Sequence, residues 1–420
     1  MKLHSNRYVV LIAAIIMNLC LGSIFGWSIL ASQFQVENPD WTLSQIAAVF
    51  SLLIFTLTIA TIFAGRLQDK IGPKWVAVTG GILMGSGVII AGLVHEIWTL
   101  YISYSIISGT GIGFSVVATL ACVGKWFLPQ QRGLIMGMVT GSFGAGGLVS
   151  GPLAAVLINL TGTVYTTLVI LGIIYLLAIT LSALLIDNPP AGYQVSDIEA
   201  GGKENNFTTK EMLKDRRFYT LWMLFFLGGA AGITVISNAQ QLAQSFTHIS
   251  GALLVSVVGI LSIFNGTGSP LFGYLSDKVG RKNALTILFS ICGVSMFALP
   301  FTSTYVSFLL VSSLIITCYG GLFGIFPSAS ADYFGTRNLG MNYGLLYLGY
   351  GVSALIGPGI AARFVDNARQ TAEIAGASVE QINTAIQAGY SQAIWLYGAA
   401  CLLAVVLTVL FLKNPISKQS

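Results

Sequence analysis

The sequence predicts an all-α protein that crosses a membrane twelve times, in two halves of six spans each. Three observations predict it. Of 420 residues 55% are hydrophobic and only 8% are charged, against roughly 25% charged in an average soluble domain. That is too little polar surface to enclose so large a core in water, and a bilayer is the solvent this composition fits. Twelve apolar runs near the length needed to cross ~30 Å of hydrocarbon are spaced along the chain. A ten-residue pattern of turn and charge, Gly-x-Leu-x-Asp-Lys-x-Gly-x-Lys, occurs at Gly65 to Lys74 and returns 208 residues later at Gly273 to Lys282. Such an echo marks an internal duplication.

The apolar runs fall at about 8–34, 44–65, 75–94, 99–122, 133–158 and 164–186, then at 218–244, 253–273, 284–302, 305–331, 339–364 and 391–412. The first run, with no small-residue cleavage site behind it, reads as a retained span rather than a signal peptide. With the N-terminus inside, 18 of the 20 lysines and arginines lie in cytoplasmic segments, and only Arg363 and Arg369 fall outside. This positive-inside balance and the even number of spans put both termini in the cytoplasm. The net charge of +5 follows from those loops and calls for no nucleic acid partner.

The longest internal polar stretch, 187–217, opens with Asp187-Asn188-Pro189-Pro190 and reads as a cytoplasmic linker. It divides an N-terminal six-helix half, 1–186, from a C-terminal half, 218–420. A second polar segment, 365–390, lies between the last two spans and reads as a short surface helix. The halves match again at Gly147-Leu148-Val149-Ser150-Gly151-Pro152 and Ser353-Ala354-Leu355-Ile356-Gly357-Pro358. From the first glycine of the repeated loop to this proline is 87 residues in one half and 85 in the other. Gly147, Gly151, Pro152, Gly357 and Pro358 are therefore candidates for a bend or hinge.

These motifs together resemble the major facilitator superfamily of secondary transporters over nearly the whole chain. Several segments resemble, within it, the oxalate:formate antiporter family and its bacterial monocarboxylate-transporter relatives. They are Lys125-Trp126-Phe127-Leu128-Pro129 with Arg132-Gly133-Leu134, then Phe326-Pro327-Ser328, Tyr333-Phe334-Gly335 and Asn342-Tyr343-Gly344. The resemblance implies the major facilitator fold, with the solute site between the halves at the midplane. Spans 1, 4, 7 and 10 would line the cavity, 2, 5, 8 and 11 would form the seam, and 3, 6, 9 and 12 would face lipid. It also implies that the repeated loops (Gly65, Asp69, Lys70 and Gly72; Gly273, Asp277, Lys278, Gly280 and Arg281) act as a latch holding the halves together on the cytoplasmic side. Their other reading is as interface charges that fix topology.

No lysine, arginine, aspartate or glutamate falls near the centre of any span. Where the oxalate:formate pattern has an arginine one turn after an asparagine in span eight, this chain has Asn265 and then Ser269. Where that pattern has a lysine in span eleven, it has Tyr350. Cations there would hold a carboxylate strongly in low dielectric, so a dianion fits this chain poorly. The polar groups at depth are neutral. Tyr343, Tyr347 and Tyr350 share one face of span eleven; Tyr319, Asn18 and Asn238 join Asn265 and Ser269 as candidate solute contacts or interhelical hydrogen bonders. Phe25 and Trp27 could wall the cavity. His248, at the outer end of span seven, is the histidine placed where a proton could be taken up.

No Walker-type sequence favours an ATP-driven pump. The five cysteines share no metal spacing, so neither metal nor cofactor is expected, and no enzyme activity. The resulting expectation is a monomeric, multi-pass plasma (inner) membrane transporter working by alternating access. Its solute would be a monocarboxylate such as lactate, pyruvate or formate, moved by proton symport or exchange. A neutral polar solute is the alternative within transport, and a membrane sensor that binds solute without moving it is the alternative outside.

Overall fold

The computed structural model describes residues 6–41, 43–190, 206–250 and 252–413. Residues 191–205, most of the expected linker, lie outside the described residues. Twelve long helical rods run through the rest, and no strand occurs among the described residues. The N-terminal half holds α1 (Arg7–Leu21, a 3-10 segment Gly22–Gly26, then Trp27–Glu37), α2 (Leu43–Ile71), α3 (Pro73–Leu93), α4 (Ile97–Trp126), α5 (Arg132–Thr161) and α6 (Val164–Ala183). The C-terminal half holds α7 (Arg216–Ser237, continued as Ala239–Thr247), α8 (Ala252–Val279), α9 (Arg281–Phe301), α10 (Tyr305–Phe334), α11 (Leu339–Ile374) and α12 (Val379–Phe411). Among the described residues, eleven are long and apolar enough by composition to cross a membrane. The twelfth rod, α8, has 28 residues, which at 1.5 Å each is about 42 Å and ample for a bilayer.

The halves meet along two seams, α2 on α11 and α5 on α8. The chain can bring helices this close because both seams carry glycine where backbones cross. Gly133, Gly137 and Gly141 on α5, four residues apart, face the Gly273, Ser269 and Gly266 carbonyls of α8. On the other seam Gly65 of α2 lies against the Gly340 carbonyl of α11. A methyl group at any of these positions would strike backbone, and close packing of small residues is what joins helices where lipid offers no hydrophobic drive. Outward faces of α3, α6 and α9 carry exposed Ile82 and Ile90, Ile173 and Leu177, and Ile291 and Val294.

The structure corrects three details. The polar segment 365–390 is not a separate surface helix: α11 runs on to Ile374, and after a turn at Gly376 α12 opens at Val379 under a Ser378 cap. The chain there is charged and polar yet rich in alanine and glutamine, good helix formers that let both rods continue past their apolar parts. Span seven breaks at Asn238. Within α4, Leu100–Ser108 is wound as a π-helix, which a sequence pattern of period 3.6 does not reveal.

Candidate functional site

A cavity opens between the halves, lined by α1, α4 and α5 on one side and α8, α10 and α11 on the other. Asn18 and Phe25 come from α1, Val116 and Leu120 from α4, and Thr140, Phe143 and Gly144 from α5. The C-terminal half supplies Asn265 and Ser269, then Tyr319, Gly320 and Phe323, and then Tyr343, Tyr347 and Tyr350. No lining residue carries a formal charge at neutral pH.

The tyrosines form a packed plate. Tyr319 and Tyr350 hydroxyls lie 3.0 Å apart and share one hydrogen bond, so one of the two protons stays free for another acceptor. The Tyr347 ring stands 5.3 Å from that of Tyr350 and 5.6 Å from that of Tyr343. Phe225 of α7 backs the plate, stacked at 4.2 Å on Phe326 and 6.0 Å from Tyr350. Of the expected lining spans 1, 4, 7 and 10, α7 contributes none of the lining residues, whereas α5, α8 and α11, expected only at the seam, do line the cavity. Its Gly232 instead abuts the Tyr319 ring and its Gly229 the Ser353 side chain. Small residues on α7 thus seat the aromatic rings that face the space.

Ser269 closes a hydrogen bond of 2.5 Å with Thr140 across the α5–α8 seam. Asn18 Nδ2 donates to the Ala14 carbonyl at 2.9 Å and to Thr119 Oγ1 at 3.0 Å. Thus Asn18, Asn265, Ser269, Tyr319, Tyr347 and Tyr350 line one cavity, while Asn238 does not: its amide donates to Thr234 O at 2.9 Å, closing the broken end of α7. Phe25 lines the cavity, but Trp27 turns away to pack on Tyr104 and Phe34. Thr140 and Phe143 of α5 were not among the sequence candidates; Thr140 falls one residue before Gly141, in the row of glycines that packs on α8.

At the loop-bearing face the two repeated segments cross from one half to the other. Asp69, near the end of α2, accepts from the Gly340 and Met341 amides at 3.2 and 2.9 Å. Asp277, near the end of α8, accepts from the Gly133 and Leu134 amides at 2.9 and 2.8 Å. Each carboxylate therefore sits on the positive N-terminal end of a helix in the other half. Gly72 and Gly280 take φ of 89° and 84°, a left-handed backbone that only glycine adopts freely. Lys70 and Lys278 are exposed, whereas Arg281 is buried. Its guanidinium pairs with Asp277 at 2.8 Å and with Asp332 of α10 at 2.7 Å, and Asp332 meets Arg132 of α5 at 3.4 Å.

Gly147 and Gly151 pack α5 onto Phe25 and Ile29 of α1. Pro152 and Pro358 both lie inside continuous helices, and the Gly357 carbonyl accepts from the Tyr397 hydroxyl at 2.5 Å. His248 takes a left-handed φ of 55° as the cap of α7, exposed and not among the cavity-lining residues.

Known proteins resemble most of the chain. It is 33% identical to the MFS-type transporter YhjX of Escherichia coli (strain K12) over 351 residues, 83% of this chain and 86% of the relative. It is 27% identical to the oxalate:formate antiporter of Oxalobacter formigenes, covering 87% and 86%, and 26% identical to the apicoplast pyruvate carrier 1 of Toxoplasma gondii, covering 77% and 69%. The fold matches the crystal structure of the transporter FucP in its outward conformation, with a TM-score of 0.68, 16% identity and coverage of 98% and 100%. The Major Facilitator Superfamily profile matches residues 8–358 and again 235–420. With two six-helix halves, glycine-lined seams and a cavity between them, the chain belongs to the Major Facilitator Superfamily of membrane transporters.

Proposed function

We propose that this transporter moves a small monocarboxylate by alternating access, with the proton carried on the solute's own carboxyl group. The observation that carries the reading is the uncharged, hydrogen-bonding cavity. Burying a neutral acid costs far less than burying its anion, and tyrosine and asparagine groups suffice to hold it. Two relatives whose names specify oxalate and formate, or pyruvate, support the substrate class. The clasps at Asp69 and Asp277 act in this reading as the latch that keeps the halves closed at the loop-bearing, cytoplasmic face. Gly147 to Pro152 and Gly357-Pro358 serve as bending points. The absence of charge also favours a second reading, a neutral polar solute that never ionises.

Uptake into proteoliposomes under an imposed pH gradient separates the two. A monocarboxylate accumulates when the outside is acid, whereas its amide shows no gradient-driven accumulation. His248→Gln retains the gradient-driven uptake. Loss of that uptake in His248→Gln, with exchange intact, would make the histidine the coupling group. An amide taken up regardless of pH, with no acid transported, supports the neutral-solute reading.

A further inference from the structure

The two walls of the cavity differ in what they ask of a solute. On the C-terminal side stand four tyrosine hydroxyls and Asn265, groups able to donate. On the N-terminal side only Asn18 and Thr140 are polar. The Thr140 hydroxyl is already engaged with Ser269 and with the Met136 carbonyl at 2.9 Å. Asn18 is 1% exposed, and both its amide hydrogens are used, on Ala14 O and Thr119 Oγ1. Its Oδ1 has no hydrogen-bond partner. Turning the amide over would set that oxygen against the Ala14 carbonyl, so the orientation follows from chemistry. Thr119 donates its own proton to Val116 O at 2.9 Å and cannot serve Oδ1 as well. A buried acceptor left without a donor is costly, and Asn18 is one of the residues that line the cavity.

Resting on the monocarboxylate reading above, we propose that Asn18 Oδ1 is the specificity-determining acceptor that takes a hydrogen bond from the acidic O–H of the solute. The acid's carbonyl then accepts from the tyrosine plate, so a carboxyl group in its neutral form satisfies both walls at once. An anion offers no donor and sets negative charge against the Asn18 carbonyl. An ester satisfies only the tyrosines. A primary amide satisfies both walls at any pH. The titratable groups among the lining residues are the four tyrosines; α4, α5 and α8 contribute none to the lining, and on its own helix Asn18 has Cys20 two residues on. Thiols and phenols ordinarily titrate above about pH 8, so a pH dependence between 5.5 and 7.5 reports the solute.

The test is the affinity of purified protein for pyruvate, its amide and its methyl ester at pH 5.5 and 7.5. Pyruvate in its keto form carries no donor apart from the acid proton. The neutral fraction changes tenfold per pH unit above the acid's own pKa, so pyruvate binds about a hundredfold tighter at pH 5.5. The amide binds equally at both, and the ester at least ~10-fold more weakly than the amide. In Asn18→Leu, pyruvate at each pH and the amide each lose at least ~10-fold in affinity, while the ester is unchanged. The three wild-type affinities decide the matter even where that variant folds poorly. Ester bound as well as amide overturns the role of Asn18 alone; pyruvate bound equally at both pH values overturns that role and the neutral-acid route of the reading above as well. A wild-type protein that takes no pyruvate at either pH overturns the monocarboxylate reading and this inference with it.

Discussion

The α5–α8 and α2–α11 seams are built from the same ten-residue loop, yet they are held in different ways. Both place an aspartate on two backbone amides of a helix in the opposite half. On the α5–α8 seam that aspartate is one of four alternating charges, Asp277, Arg281, Asp332 and Arg132. On the α2–α11 seam Pro73 stands where Arg281 stands in the other copy, so the chain of charges is missing. Ser276, which accepts from Arg281, is matched there by Gln68. Gln68 is 1% exposed and neither its Nε2 nor its Oε1 has a hydrogen-bond partner. One duplicated sequence has thus produced a seam with balanced buried charge and a seam with an unsatisfied buried amide. The lesson is that the motif fixes the clasp, and the residue after its second glycine fixes how firmly the clasp is backed.

The largest expected effect comes from breaking the charged seam. Arg281→Leu leaves Asp277 and Asp332 buried without their shared partner, which typically costs roughly 3–5 kcal/mol. Thermal unfolding in detergent reads this directly, and a variant within 1 kcal/mol of wild type (roughly, by the same scale) would mean that Arg132 alone balances both carboxylates. Asp69→Asn is expected to be milder, about 1–2 kcal/mol, because it removes a charge from a helix N-terminus but keeps one acceptor and strands no cation in contact. It should slow turnover while leaving solute affinity within a few-fold. Collapse of affinity with turnover preserved would remove Asp69 from any latch. The smallest effect has the opposite sign. Gln68→Leu deletes an unpaired amide at nearly constant volume and should stabilise by roughly 1 kcal/mol. Destabilisation instead would show that the amide finds a partner in another state of the seam.

Much of this architecture was legible in the sequence, for a physical reason. Lipid permits few charges, so each one that remains is a signal, and the repeated Asp69 and Asp277 loops stood out against apolar surroundings. Their partners did not. Backbone amides at Gly340, Met341, Gly133 and Leu134 carry no side-chain signature, and nothing in the sequence around Asp332 marks it as the bridge between two arginines. The neutral polar residues at depth were likewise visible because each must find a partner. Seven of them share the cavity, but Asn238 satisfies itself on its own helix end, a choice that periodicity does not encode. The lining role expected of α7 came from the family resemblance alone, and nothing in its own glycines marks them as seats for rings of α10 and α11.

The uncharged lining has an electrical consequence. A protein whose solute site holds no charge moves none when it reorients empty, and none when it reorients around a neutral acid. Each charge carried through the field would be worth about 2.3 kcal/mol per 100 mV, and under the proposed neutral-acid route that work is absent in both directions of the cycle. Accumulation by this route is set by the proton concentration ratio alone, and a membrane voltage neither helps nor hinders it. Such a carrier is electrically silent, able to let acid out of a cell without discharging the potential that other transporters spend.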